Sequence, residues 1–197
     1  MPHFNFIDIG TSDFDYTIPN NGDSGIYIEP ISFYLNSIPD FKNCFKENCA
    51  ISDVDGYVEI YYIKPEDIKK YNLPPCLRGC NSILKPHPSV SKELELKNID
   101  KSELVLREKV KSLQINQIYK KYDVTSVDII KIDTEGYDCH IVKQIIKSNI
   151  HPKVLRFESN ELADTNLINE TVELLLENGF TQKYRTNIDT CFIKIGK

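Results

Sequence analysis

The chain has 197 residues, 41% of them hydrophobic and 27% charged, with a formal net charge of -5. That size and composition give a single soluble domain with one sizeable core, and they exclude a disordered chain. The acidic balance excludes a nucleic-acid backbone as obligate partner, and no apolar run reaches the length of a membrane span. The basic stretch from Lys109 to Lys121 is too dilute to alter this and reads as a solvated helix face.

Taken in chain order, Phe4 to Ile9 reads as a buried strand closing on Asp8 and Gly10. Pro19-Asn20-Asn21-Gly22 then leaves room for about one or two helical turns, so a short first helix is expected. Gly25 to Glu29 is a second strand, Pro30 opens a helix to about Ile38, and Cys49-Ala50-Ile51 is a third apolar segment. After the turn Asp53 to Gly56, Tyr57 to Tyr62 alternates like an antiparallel strand, with Leu104 to Val110 as its partner. The stretch from about 65 to 100 lacks periodicity and is expected to cover the acceptor side of a site. Val127 to Ile132 is a strand, Asp138 to Ser148 a helix, Val154 to Phe157 a strand and Glu161 to Asn178 an amphipathic helix ended by Gly179. Phe180 to Tyr184 and Cys191 to Ile195 close the domain as paired strands. The economical architecture is one α/β domain: a mostly parallel sheet, helices on both faces and an antiparallel closing strand.

Six cysteines, at Cys44, Cys49, Cys76, Cys80, Cys139 and Cys191, follow an N-terminus without a signal peptide, which implies reduced thiols and a cytoplasmic location. Cys76, Cys80 and His87 would make three zinc ligands, one short of a structural site, so zinc is not expected.

In such a sheet, ligands bind across the C-terminal strand ends. Acids stand there repeatedly: Asp8, Glu29, Asp53, Asp133 and Glu158. Gly10-Thr11-Ser12-Asp13 offers a turn whose amides can face a carboxylate or phosphate, and Glu29 stands where an acid accepts ribose hydroxyls. Acids repel a pyrophosphate, so the set favours a cationic, phosphate-free nucleoside such as S-adenosylmethionine over a dinucleotide. A nicotinamide-dependent oxidoreductase is further disfavoured because the full Gly-x-Gly-x-x-Gly fingerprint is missing.

Phe6 to Gly10, Ile26 to Pro30, Ala50 to Gly56 and above all Lys131-Ile132-Asp133-Thr134-Glu135-Gly136 resemble, in order and spacing, the FkbM family of S-adenosylmethionine-dependent methyltransferases. The resemblance spans nearly the whole chain and implies a Rossmann-like class I methyltransferase fold. It also implies that Asp8, Gly10, Thr11, Ser12 and Asp13 hold the methionine end of the cofactor, Glu29 the ribose, and Ser52 and Asp53 the adenine side. Methyl transfer to a hydroxyl of a small molecule or sugar would be the reaction. Phe14 stands where the family carries a further glycine, and a non-catalytic nucleoside-binding or scaffold domain is the alternative.

For catalysis, Asp133, Glu135 and His87 are the candidates; Arg78, Lys85, Glu158 and Asn160 are candidates for holding the acceptor. Asp133, Glu158 and Asn160 could converge on a divalent cation, but Asn160 before Glu161 and Leu162 looks like a helix cap, which favours a site without metal. Each acid has a plainer reading as a cap or first-turn residue, as Glu29 has before Pro30. An acceptor site completed by a second copy, in a homo-oligomer, stays open.

Overall fold

A computed structural model describes residues 2–159 and 164–195. The chain opens with β1 (His3–Ile9), β2 (Gly25–Ile28), the short helix α1 (Ser32–Ser37) and β3 (Cys44–Glu47). β1 pairs in parallel with β2, and β2 with β3. No helix follows β1, contrary to the short one expected: residues 10–24 are irregular. The sheet's own side chains satisfy this segment in place of helical hydrogen bonds. Thr17 N donates to Asp8 Oδ2 at 2.6 Å, Tyr27 Oη to Thr17 O at 2.6 Å, and Lys131 Nζ to Asp15 O at 2.5 Å.

The apolar segment Cys49-Ala50-Ile51 is not the third strand of the main sheet. Its Ala50–Ile51 forms β4, which joins β5 (Gly56–Tyr62) and a later strand in a separate three-stranded sheet. Then come α2 (Pro65–Lys70), a 3-10 turn (Pro75–Arg78), α3 (Pro88–Leu96), α4 (Lys101–Leu104), β6 (Leu106–Leu113) and α5 (Ile115–Lys121). β5 and β6 pair antiparallel, as the alternation predicts. The stretch Lys109 to Lys121 is therefore split between β6 and α5 rather than being a helix face, with Val110 buried between exposed Lys109 and Lys111. Residues near 65–100 are not an aperiodic loop but short helices around a satellite core of Ile63, Ile68, Leu73, Leu77, Val90, Leu94 and Leu104.

The second half supplies β7 (Ser126–Ile132), α6 (Asp138–Lys147), β8 (Val154–Glu158), α7 (Thr165–Glu177), β9 (Phe180–Arg185) and β10 (Asp189–Lys194). The main sheet runs β3-β2-β1-β7-β8-β10-β9, parallel except for β10, which is antiparallel to both its neighbours. α7 is capped by the Asp164 side chain, which accepts from the amides of Asn166 and Leu167; Asn160, the expected cap, lies outside the described residues. One face of the sheet, with Ile7, Ile9, Ile130, Ile132, Leu155 and Phe157, packs on Ile118, Ile141, Ile145 and Leu175 of α5, α6 and α7. The opposite face around Phe6 and Tyr27 is covered by Leu35, Ile38, Tyr16 and Phe41. Among the described residues no helix is long and apolar enough to cross a membrane.

Candidate active site

The chain leaves β1 towards β2 and β3, then resumes on its other side at β7. This reversal of strand order opens a crevice at the C-terminal strand ends, where α/β sheets bind ligands. Gly10 sits in it with φ +78°, and a Cβ there would lie 1.8 Å from the Asp133 carbonyl oxygen. Only glycine meets both demands. Gly10 N donates to Ile28 O and Asp133 N to Ile9 O, both at 2.9 Å, which brings the ends of β2, β1 and β7 together.

A cavity of about 510 Å³ occupies this position, lined by Gly10, Thr11, Ser12 and Glu29 together with Asp133, Glu135, Glu158 and His87. Glu29 is 3% exposed and spans two backbones: Oε2 accepts from Ser12 N at 3.0 Å and Oε1 from Ile31 N at 2.9 Å. Burial pushes its carboxyl up to about 7 despite those amides. It thus ties two turns together, bonding the amide just before α1 but none in the helix's first turn, while also facing the cavity.

Across the crevice, Asp133, Glu135 and Glu158 bring ligand oxygens within 4.8 Å of one another. Burial, with neighbouring carboxylates adding to it, raises Asp133 well above the usual range and raises Glu158 as well. Asp138, fully buried and pushed up to about 6 by that burial, ties the two strand ends together. It accepts from Thr134 Oγ1 at 2.8 Å and from Glu158 N at 3.1 Å.

Residues of the segment between β5 and β6 grip both turns. Arg78 Nη1 lies 2.8 Å from Asp13 Oδ2, its guanidinium sits 5.0 Å from the Phe14 ring centre, and its carbonyl accepts from Ser12 Oγ at 3.2 Å. Phe14 therefore packs on Arg78 and Gly79 where a further glycine was expected. At the other turn, Ser82 Oγ donates to Glu135 O at 3.0 Å, and His87 Nε2 lies 3.0 Å from Glu135 Oε2.

Several expected residues lie off the cavity. Asp8 is fully buried between Thr17 N and Lys131, whose ammonium is 3.5 Å from Asp8 Oδ1, so it braces the fold and does not line the cavity. Ser52 Oγ pairs with Ser112 Oγ at 2.6 Å, while Asp53 takes Tyr137 Oη at 2.8 Å and Gln144 Nε2 at 3.0 Å, so this segment lines the site through Cys49, Ala50 and Ile51 instead. Asp13 and Arg78 are spent on each other, and Lys85 is exposed away from the lining. Three contributors went unanticipated: Ser82, Asp138 and Lys131. Burial opposes the Lys131 charge, but Asp8, Asp133 and Asp15 outweigh it and hold its pKa up. A lysine inside the apolar run Ile129-Ile130-Lys131-Ile132 was the available signal.

Cys80, His87 and Glu135 also converge within 4.8 Å, a possible metal set by residue type. The ring, however, accepts from Ser89 N at Nδ1, at 3.0 Å, so its proton sits on Nε2. In this arrangement it has no lone pair to offer a metal.

A cavity at the switch of an open, mostly parallel sheet defines an α/β ligand-binding domain, and sequence comparison supplies its class. The methyltransferase FkbM domain matches residues 8–181, and the chain belongs to that family. No curated protein and no solved structure matches it.

Proposed function

We propose that this domain is an S-adenosylmethionine-dependent O-methyltransferase on a class I, Rossmann-like scaffold, acting in the cytoplasm on a hydroxyl of a small molecule or sugar. The observation that carries the reading is the placement of the Gly10 turn, Glu29, Asp133 and Glu135 around one cavity. The residues suit the cofactor. Gly10 lets the ends of β1 and β7 approach closely at the floor of the cavity that it lines, and buried Glu29 can accept ribose hydroxyls. Thr11 and Ser12 would border the methionine end. When bound, the cofactor supplies an electrophilic methyl on a sulfonium.

The protein's own task is alignment and proton removal. Glu135 takes the acceptor's proton, and Asp133 and Glu158, whose carboxyls burial raises, stand beside it to hydrogen-bond polar groups of the acceptor. Among the described residues the lining includes Asp15, Glu29, Asp133, Glu135 and Glu158 but neither lysine nor arginine, so no fixed cation is there to hold an anionic acceptor, which favours a neutral or cationic one. Cys80, Asn81 and His87 line the same cavity, supporting residues 65–100 as the acceptor-side cover.

Calorimetric titration with S-adenosylmethionine and S-adenosylhomocysteine tests the reading. Binding of both is expected, and no binding at millimolar ligand would overturn it.

A further inference from the structure

We infer that His87 and Ser82 are positioning residues for Glu135, and that His87 is neither the base nor a metal ligand. The inference rests on the reading of Glu135 as proton acceptor for its functional meaning, but its geometry stands on the unliganded protein.

Glu135 has φ +54°, in the left-handed region that side chains other than glycine's rarely adopt. Such a conformation persists where the surroundings over-determine it, and at a ligand site it is part of the site's construction. Two contacts supply that determination, both from the segment between β5 and β6. Ser82 Oγ donates to the Glu135 carbonyl at 3.0 Å, and His87 Nε2 stands against its carboxylate, 3.0 Å from Oε2.

Each holder is itself fixed. Ser82 is buried, and its backbone exchanges hydrogen bonds with Tyr61, N to O at 3.2 Å and O from N at 2.9 Å. His87 is buried between Pro86 and Pro88 as the N-cap of α3, with Nδ1 accepting from Ser89 N. A proton on Nδ1 would point at the Ser89 N–H, so the ring is held as the Nε2–H tautomer, with Nε2 3.0 Å from Glu135 Oε2. A base or a metal ligand needs a free lone pair, and His87 has none here without losing the helix cap.

The test is nuclear magnetic resonance on the ligand-free protein with labelled histidine. His87, assigned by the signal lost in His87→Gln, is expected to show a protonated Nε2 and an unprotonated Nδ1. The Glu135 and Gly136 amide signals should move in His87→Ala and Ser82→Ala, stay near their native positions in His87→Gln, whose side-chain amide can still donate, and leave the Gly10 amide in place. An Nδ1–H tautomer, a shift of the His87 ring nitrogens on adding Zn²⁺, or Glu135 and Gly136 amides unmoved in both alanine variants would overturn the inference. Failure of S-adenosylhomocysteine to bind would instead sink the cofactor reading and leave the tautomer result standing.

Discussion

Ser12 and Glu29 are joined across the mouth of the crevice: the amide of one donates to the buried carboxylate of the other at 3.0 Å. The bond closes the turn after β1 onto the end of β2 and leaves each Glu29 oxygen a further lone pair with which to accept a ribose hydroxyl. Glu29→Ala is therefore expected to weaken S-adenosylmethionine binding by about 1.5–3 kcal/mol, the range for hydrogen bonds to a charged group. Calorimetry on the folded variant checks this. Unchanged affinity would leave Glu29 as a tie between the two turns alone.

Lys131 and Asp8 form a buried pair, 7% and 0% exposed. Removing one partner strands a charge in the sheet, so Lys131→Met should cost about 3–5 kcal/mol in urea unfolding. Asp8→Asn combined with Lys131→Met should recover part of that loss. Asp8→Ala should act on stability first and on cofactor binding only through it.

Gly10→Ala brings a methyl group to 1.8 Å from the Asp133 carbonyl oxygen at φ +78°. The left-handed conformation alone costs about 1–2 kcal/mol, before the clash moves β1 and β7 apart. A fall in thermal midpoint together with loss of cofactor binding is the expected result, and a variant as stable as the native protein would contradict this geometry.

Stability should fall as pH rises across the neutral range. Glu29 moves from 4.5 in the free side chain to about 7 in the fold, and Asp138 from 3.8 to about 6. Between those values the folded state holds protons that the unfolded chain has released, so raising pH favours unfolding. Asp128 and Glu47, held low by hydrogen bonds and cations despite the opposing effect of burial, act the other way and lose their contribution in acid. Denaturation midpoints at pH 5.5 and 7.5 should show the domain more stable at the lower pH, with a shallower difference in Glu29→Gln.

The periodic elements were legible in the sequence because their burial is one-sided or complete: β7 and α6 follow the apolar spacing of Val127 to Ile145 closely. β3 was not. It is an edge strand whose Phe45 and Lys46 are not buried, so no apolar run marks it. The missing helix after β1 was equally hidden, since what replaces it is tertiary: Asp8, Tyr27 and Lys131 reach the segment from distant strands. At the site, strand-end placement located Glu29, Asp133, Glu135 and Glu158 beside one cavity. It could not show which face of β1 carries Asp8, or that Tyr137 and Gln144 draw Asp53 aside.

The satellite core beneath Leu77, Val90 and Leu94 is separate from the core under the main sheet. Segments with their own small core open at lower free energy than the sheet they rest on. Amides of α2 and α3 should thus exchange with solvent earlier than those of β1 and β7. Each such opening withdraws Arg78, Ser82 and His87 together, dismantling the site while the sheet remains intact, so ligand binding should fail at a denaturant concentration below that of global unfolding.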